Sequence, residues 1–393
     1  MNLGYAAAYD VRNPNMWSGT PYSLFCALQD SGRLAALNDI DLSAYASEKD
    51  LKINYYKNLD FTATVKNRQP TAKTGAAVNN IVNSRALNKL LPTLQLDALL
   101  QIGGFSVENP ELPYYIYGDA THDMTLDYYS NYGELPYNFQ SLTPDYFERA
   151  SSTVRSIYQN ATGIFCMSRW MAESVVNTTS IAPEKVHTVY AGPNFHGFEL
   201  PHDISAKTLS DNSPVTIAFV GVNFEEKGCG QLIDAVKLLN SQNGRLYYLH
   251  IAGLTAKDLP KDVAEDVHIV SHGFLDKPAL FKMLACSDLF VLPSRFDFFG
   301  LSFIEAMYFG LPCIGRNICA MPEIIDEGVN GELVTNTNPQ GLSDLIVKIT
   351  GNREKYEEYS RQAIKKSRLF SWEKTANKML NVICKNEETA SKK

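Results

Sequence analysis

No run of about 18 apolar residues occurs anywhere in this chain, so no transmembrane helix is expected. The first residues, Met1-Asn-Leu-Gly-Tyr-Ala-Ala-Ala-Tyr-Asp10, lack the positive start and long apolar core of a secretory signal and read as a first strand. Dense Lys/Arg runs are missing up to the terminal Ser391-Lys-Lys393, and the formal net charge is −7. That balance argues against an extended nucleic-acid face, which needs basic residues to neutralise phosphates. Cysteine is sparse: seven residues, at 26, 166, 229, 286, 313, 319 and 384, form no metal-type pairs, and their odd number fits reduced thiols in a cytosol. The shortest spacing, Cys313 to Cys319, reads as core packing. The sequons Asn160-Ala-Thr162 and Asn177-Thr-Thr179 carry little weight without a secreted context. No repeat with a period of 20 to 50 residues is evident.

What is present is the composition of a globular protein: 45% of the 393 residues are hydrophobic and 20% charged, and the length exceeds one common core, so two domains are expected. Strand-like and helix-like segments alternate, which argues for α/β architecture with parallel sheets. The first half offers strands at 3–9, 98–103, 114–117, 163–167 and 186–190, with helical patterns at 145–159 and 170–177. Ala191-Gly-Pro-Asn194 and the polar residues up to Pro214 read as a linker, because Gly and Pro end the periodic pattern. A second series follows, with strands at 215–220, 246–251, 267–270 and 289–292 and helices near 229–240, 278–286 and 340–350. Ser371 reads as the N-cap of a terminal helix with Ala376, Met379, Leu380 and Ile383 on one face, and 386–393 as a frayed polar end.

Residues with chemical potential gather at the ends of these strands. After the apolar run Asp288-Leu-Phe-Val-Leu-Pro293 comes Ser294-Arg-Phe-Asp-Phe-Phe-Gly300, then a helix from Leu301 to Phe309 with Phe303 and Met307 on one face. Asp297 and Glu305 flank the turn with seven residues between them. Free backbone N–H groups and the helix dipole make Phe299-Gly300-Leu301 an anion site, and Glu305 can reach back from the first turn. From these residues alone, an ordinary helix start, with Asp297 near the cap and Glu305 on a solvated face, accounts for them equally well. Gly221-Val-Asn-Phe-Glu-Glu-Lys-Gly228 places Lys227 at another helix entry, where by itself it reads as a solvated lysine. Gly228-Cys-Gly230 lacks the third glycine of a dinucleotide fingerprint, Ile233 standing in its place.

Near the start, Trp17-Ser-Gly-Thr-Pro-Tyr-Ser-Leu24 is either a turn with Pro21 at the first helical position or a small-residue loop, around Gly19 and Thr20, that leaves room for substrates. Tyr117-Gly-Asp-Ala-Thr-His-Asp-Met124 brings His122 to a strand end; an imidazole there can donate or accept a hydrogen bond, though a lone histidine is more often structural. Asp119 and Asp123 carry weaker signals. Asp39-Ile-Asp41 imitates a metal-binding D-x-D but reads as a loop after the first helix.

The segment from Ser294 to Cys313 resembles the C-terminal signature of glycosyltransferase family 4, retaining enzymes of the GT-B fold. The resemblance continues through Gly310-Leu-Pro-Cys-Ile314, Pro322-Glu-Ile-Ile325 and Gly328-Val-Asn-Gly331, and extends from about Gly19 to the terminal helix. It implies two Rossmann-like domains facing each other across a cleft. Residues 1–200 would form the acceptor side, braced by the terminal helix 372–386, and residues 201–371 the nucleotide-sugar donor domain. By the same resemblance Lys227 meets the donor diphosphate, Asp297 the donor sugar in place of the family's Glu, and Glu305 the ribose hydroxyls. Phe299, Gly300 and Leu301 complete that donor contact. Gly19 and Thr20 would lie against phosphates and acceptor, with His122 toward the reacting sugar. The family's Arg after the glycine is Val222 here, so Arg295 is expected to supply the missing cation.

The implied function is a hexosyltransferase-type, retaining glycosyltransferase that moves a sugar from a nucleotide-diphosphate sugar to a glycan or lipid-linked acceptor, in polysaccharide or glycoconjugate biosynthesis. No cofactor and no metal are expected, because Lys227 and the turn amides supply the positive charge, and no nucleic-acid partner is expected. The expected compartment is the cytoplasm, with the inner face of a membrane as the alternative for a lipid-linked acceptor. Rival readings are an epimerase or phosphorylase of the same fold and a non-catalytic sugar-binding protein.

Overall fold

The computed structural model describes residues 1–45, 74–136, 139–140, 142–198, 200, 204–210, 213–242 and 244–390. The chain divides into two compact units, Met1–His196 together with Ser371–Lys393, and Gly197–Phe370.

In the first unit six parallel strands run in the order β2-β1-β3-β4-β5-β6. They are β1 Asn2–Ala7, β2 Ala36–Asp41, β3 Ala98–Ile102, β4 Tyr114–Gly118, β5 Gly163–Cys166 and β6 Val186–Thr188. Short apolar runs such as Ala98–Ile102, buried at every residue, are what a strand covered on both faces requires. From β1 the chain first moves outward to β2, then returns to β3 on the other side of β1, so the winding reverses between β1 and β3.

The second unit repeats this plan in the order β12-β11-β10-β7-β8-β9, again all parallel. Its strands are β7 Val215–Val220, β8 Tyr247–Ala252, β9 Ile269–Gly273, β10 Leu289–Leu292, β11 Cys313–Arg316 and β12 Gly331–Val334. β10 returns to the side of β7, with Leu289 opposite Ile217 and Phe290 opposite Ala218. Ligands of open α/β sheets bind outside the carboxyl ends of the strands at such a reversal. The helix after β10, Leu301–Tyr308, is anchored by Phe303, Ile304 and Met307, all fully buried. Burial of each stabilises the unit by about 1.5–3 kcal/mol.

Three expectations need correction. Asp39-Ile-Asp41 is not a loop: it ends β2, with Asp39 opposite Tyr5 and Asp41 opposite Ala7 in the parallel ladder, and Arg12 Nε lies 2.9 Å from Asp39 Oδ2. Ala191-Gly-Pro-Asn194 is not loose connection, since Asn194 is buried and hydrogen-bonded within the first unit. The terminal helix runs Trp372–Ala390 without stopping at Asn386, while residues 391–393 lie outside the described residues. Ser371 Oγ does accept from Lys374 N at 3.2 Å, and the helix lies along Thr20–Asp30. The long helix Arg353–Ser367 carried no clear signal in the sequence reading. Among the described residues no helix is long and apolar enough to cross a membrane.

Candidate functional site

The loops after β7 and β10 leave the second sheet at its reversal, and they are stitched together by backbone. Arg295 N donates to the Glu226 carbonyl at 2.7 Å. Gly228 permits this approach, because a Cβ there would lie 2.5 Å from the Pro293 carbonyl oxygen. The stitch brings Lys227 Nζ to 2.9 Å from Asp297 Oδ2, and the same ammonium lies 3.4 Å from the Phe296 carbonyl. Both side chains are about four-fifths buried, at 19% and 22% exposure. Burial pulls the Lys227 pKa down, but the Asp297 carboxylate and its hydrogen bond, with Glu226 behind them, outweigh burial and hold it above the ordinary lysine value. Lys227 is therefore a fixed cation. Cys319, which sequence reading assigned only to packing, borders this pair, and burial pushes its thiol up to about 12, so it stays neutral.

Gly300, at φ 85, caps the helix Leu301–Tyr308, whose first-turn N–H groups face the end of the same loop. Phe299 is buried, with its ring centroid 6.3 Å from that of Phe370, and Leu301 is half-buried. Glu305 is not on a solvated face: it is 4% exposed, and Lys277 Nζ donates to its Oε1 at 2.6 Å. Lys277 was missed by sequence reasoning. Its one available signal was the helix start Asp276-Lys277-Pro278, where Asp276 accepts from Ala279 N at 2.9 Å. Arg295 is exposed and Val222 is 72% exposed.

The first unit places its candidates in the same kind of position with different chemistry. Trp17, Ser18 and Gly19 form a left-handed run after β1, at φ 44, 56 and 91. For Trp17 and Ser18 this costs roughly 1–2 kcal/mol each, so the surroundings must hold it. Asn194 does so, donating from Nδ2 to the Ser18 carbonyl at 2.8 Å and to Thr20 Oγ1 at 3.3 Å. Thr20 is fully buried, its hydroxyl turned inward to Asn194, and Pro21 follows in the helix Thr20–Asp30. His122 begins the helix His122–Tyr132 after β4, capped by Thr121, whose Oγ1 accepts from Met124 N at 3.2 Å. Burial lowers the His122 pKa despite the neighbouring Asp123, whose carboxylate is held by Arg155 at 2.6 Å, so the imidazole is neutral at pH 7. Gly19, Thr20 and His122 thus lie in the first unit, and Lys227, Arg295, Asp297, Phe299, Gly300, Leu301 and Glu305 in the second.

Comparison with known proteins agrees with this architecture. Residues 202–366 match the family described as glycosyl transferases group 1. The chain is 29% identical over 229 residues to the D-inositol 3-phosphate glycosyltransferase of Jonesia denitrificans, a match covering 53% of each. It spans about half the length of three of the curated relatives it matches, 46%, 53% and 59%. Among solved structures it is similar to sucrose-phosphate synthase from Thermosynechococcus elongatus, with a TM-score of 0.70, 11% identity and coverage of 99% of this chain and 100% of that one. It is also similar to WaaG, a glycosyltransferase involved in lipopolysaccharide biosynthesis, with a TM-score of 0.66, 11% identity and coverage of 97% and 99%. At that identity the likeness carries the fold: each unit is a doubly wound parallel sheet of the GT-B kind.

Proposed function

We propose that this chain, whose residues 202–366 match the glycosyl transferases group 1 domain, moves a hexosyl group from a nucleotide-diphosphate sugar to a glycan or lipid-linked acceptor, with retention of configuration. The observation that carries the reading is the Lys227–Asp297 pair at the reversal of the second sheet, with Glu305 just inside the helix that follows. A departing diphosphate develops negative charge as the glycosidic bond loosens, and a preorganised cation in a partly dry site stabilises it most. Lys227 supplies that charge. The N–H groups after Gly300 add to it, and Arg295 replaces the cation lost at Val222.

Asp297 orients the donor sugar, and Glu305 accepts from the ribose hydroxyls. In the free protein both carboxylates are already engaged, by Lys227 and Lys277. Donor binding on this reading adds ligands to existing pairs instead of filling vacant charges, so the pairs hold each carboxylate in place. His122, neutral and half-buried at the start of the helix after β4, is suited to hydrogen-bond a sugar hydroxyl without serving as a charged acid. No side chain of the set is assigned as a covalent nucleophile, which favours a front-face transfer in which the leaving phosphate takes the acceptor proton. Metal ions are not required, since Lys227 and the helix-terminal amides meet the diphosphate charge. The acceptor places the work in polysaccharide or glycoconjugate assembly, in the cytoplasm or at the inner face of a membrane.

The test is a panel of UDP-, GDP- and ADP-sugars incubated with the full chain, reading nucleoside diphosphate release with and without glycan and lipid-linked acceptors. Release that depends on acceptor supports the transfer. A sugar phosphate product instead identifies a phosphorylase, an acceptor-independent isomerised sugar identifies an epimerase, and binding with no turnover of any donor overturns the reading.

A further inference from the structure

Three of the seven histidines gather at one edge of the second sheet. His250 lies in β8, His272 in the edge strand β9, and His268 just before β9. The two strands pair in regular parallel register from Leu249 opposite Ile269 to Ile251 opposite Ser271, but Ala252 then pairs with Gly273, so His272 is one residue too many for the ladder. Parallel pairs rarely carry such a bulge, and at a sheet edge a bulge re-aims a side chain. In unbroken register His272 would stand beside Ala252, two residues or about 6.6 Å beyond His250. The bulge draws it back, and its Nε2 lies 3.1 Å from His250 Nδ1. Gly273, at φ 66, lets the pairing resume: its N–H donates to the Leu254 carbonyl at 3.0 Å, and its carbonyl accepts from Gly253 N at 2.7 Å.

Two neutral imidazoles that face each other through ring nitrogens hold one proton between them, one ring donating and the other accepting. A cation fits the same spacing, since two nitrogens each about 2.0–2.1 Å from one tetrahedral metal ion are about 3.3 Å apart. The ring centroids are 5.0 Å apart and the planes are inclined at 44°, so small rotations aim both lone pairs at one point. His250 is half-buried and His272 exposed, which fixes one member of the pair in the protein and leaves the other open to water as an entry path. Burial and the neighbouring His272 both lower the His250 pKa, so its ring keeps a lone pair at pH 7. His268 stands apart from the pair: its Nδ1 lies 3.2 Å from Asp266 Oδ1, and its ring lies against Tyr248 with centroids 5.4 Å apart. Among the described residues no group of three or more His, Cys, Asp or Glu side chains is placed to hold a metal ion, so the pair can supply two ligands and water the rest.

We propose that His250 Nδ1 and His272 Nε2 form a two-histidine chelate for a divalent transition-metal ion of the zinc class at the edge of the second sheet. The class follows from the donors, because imidazole suits zinc, copper and nickel, whereas magnesium and calcium prefer oxygen. On binding, the proton shared by the two rings moves through solvent to the outer nitrogen of its own ring. Both imidazoles stay neutral, and each gives one lone pair to the metal. The ion ties the edge strand β9 to β8. It takes no part in sugar transfer, which still needs no metal, and its binding does not depend on whether the chain is a transferase.

Calorimetric titration of the full chain with ZnCl₂, and separately with MgCl₂, tests this. Every sample carries Cys286→Ser, so that the exposed thiol does not compete for the ion. The expected result is uptake of about one Zn²⁺ per chain with a Kd below about 1 mM, and no Mg²⁺ uptake in that range. His272→Gln and His250→Gln should each weaken Zn²⁺ binding by at least about 10-fold, the low end of what loss of even an outer-shell partner costs, while His268→Gln binds like the parent. Saturating Zn²⁺ should also raise the Tm of the parent by roughly 2–4 °C and leave that of His272→Gln unmoved.

His272 is exposed, so its replacement spares the core, and His272→Gln decides if His250→Gln does not fold. No Zn²⁺ uptake by the parent overturns the proposal and leaves the pair a hydrogen bond between two rings. Uptake that His272→Gln leaves unchanged puts the ion elsewhere and overturns it too, as does Mg²⁺ binding with the affinity of Zn²⁺.

Discussion

The two sheets reverse their winding in the same way, between β1 and β3 in the first unit and between β7 and β10 in the second, yet the loops that leave them there are built differently. In the second unit the ends are charged, with Lys227 against Asp297 and Lys277 against Glu305. In the first the groups singled out by the sequence are neutral, a left-handed backbone run, an inward threonine, a buried carboxamide and an uncharged imidazole, with the pairs Arg12–Asp39 and Arg155–Asp123 beside them. The difference separates two tasks that an open α/β sheet can serve at one position. Fixed ion pairs suit a polyanionic ligand, whereas neutral donors on a held backbone suit the orientation of groups whose charge changes little. The ion pair that the first reversal does carry, Arg12 with Asp39 at 2.9 Å, keeps its cation 64% exposed, as desolvation beside so much buried tyrosine favours; burial already raises the pKa of Tyr5, Tyr9 and Tyr117.

The sharpest way to break this contrast is to remove the cation of the second unit. Lys227→Ala should lower turnover by about 100- to 1,000-fold, the loss of one strong electrostatic donor to the transition state, with the fold retained. Initial-rate kinetics check this, and parental rates would take Lys227 out of the site and leave the second unit no more charged in function than the first.

The two carboxylates sharpen the contrast within the second unit. Glu305→Gln should weaken binding of free nucleoside diphosphate by roughly 10- to 100-fold, since two hydroxyl donors lose a charged acceptor worth about 1.5–3 kcal/mol. Asp297→Asn should leave that affinity nearly intact while transfer collapses. Lys277→Met should follow Glu305→Gln in direction, because Glu305 loses the group that holds it at 2.6 Å. Calorimetric titration beside turnover measures all three; parental nucleotide affinity in both Glu305→Gln and Lys277→Met would show that this pair serves the fold and not the ligand.

Excess EDTA should leave transfer within about twofold of its untreated rate, because the proposed positive charge comes from Lys227 and helix-terminal amides. Inactivation by EDTA, restored by Mn²⁺, would shift the charge-bearing role to a metal and reopen the carboxylates Asp39 and Asp41 of the first unit.

The smallest expected effect belongs to the neutral side of the comparison. The His122 pKa is lowered by burial from 6.5, so between its depressed value and 6.5 the unfolded chain binds a proton that the folded chain does not. Stability therefore rises with pH through that window and levels off above it. His187 and His250 are lowered by burial too and contribute in the same direction. His122→Asn should shrink the difference in Tm between about pH 5 and about pH 7 without abolishing it; an unchanged difference would mean that His122 is accessible enough to be protonated in the fold.

Much of the architecture was legible along the chain. Val215–Val220 and Leu289–Leu292 read as strands because a strand covered on both faces is a short continuous apolar run. The helix Cys229–Ser241 matched its apolar spacing, as did Pro339–Thr350. β2 was missed for the complementary reason: Ala36–Asp41 is an edge strand, mostly half-buried and partly polar, so neither a continuous run nor a clean alternation marks it. The turn at Gly300 and the helix after it could be anticipated because strand end, glycine and amphipathic helix are consecutive in sequence.

The sequence by itself determined that this chain forms parallel α/β sheets with chemically capable residues at strand ends, since each segment's periodicity reports its own burial. Which residue meets which was decided only in three dimensions. Lys227 and Asp297 are 70 residues apart, Lys277 and Glu305 are 28 apart, and Asn194 lies 176 residues from Ser18 and 178 from Trp372. Those pairings depend on β10 returning to the side of β7, and on the last helix lying along Thr20–Asp30. Strand order is a property of the whole folded chain, because it is settled by which apolar faces cover one another, and no local pattern encodes it.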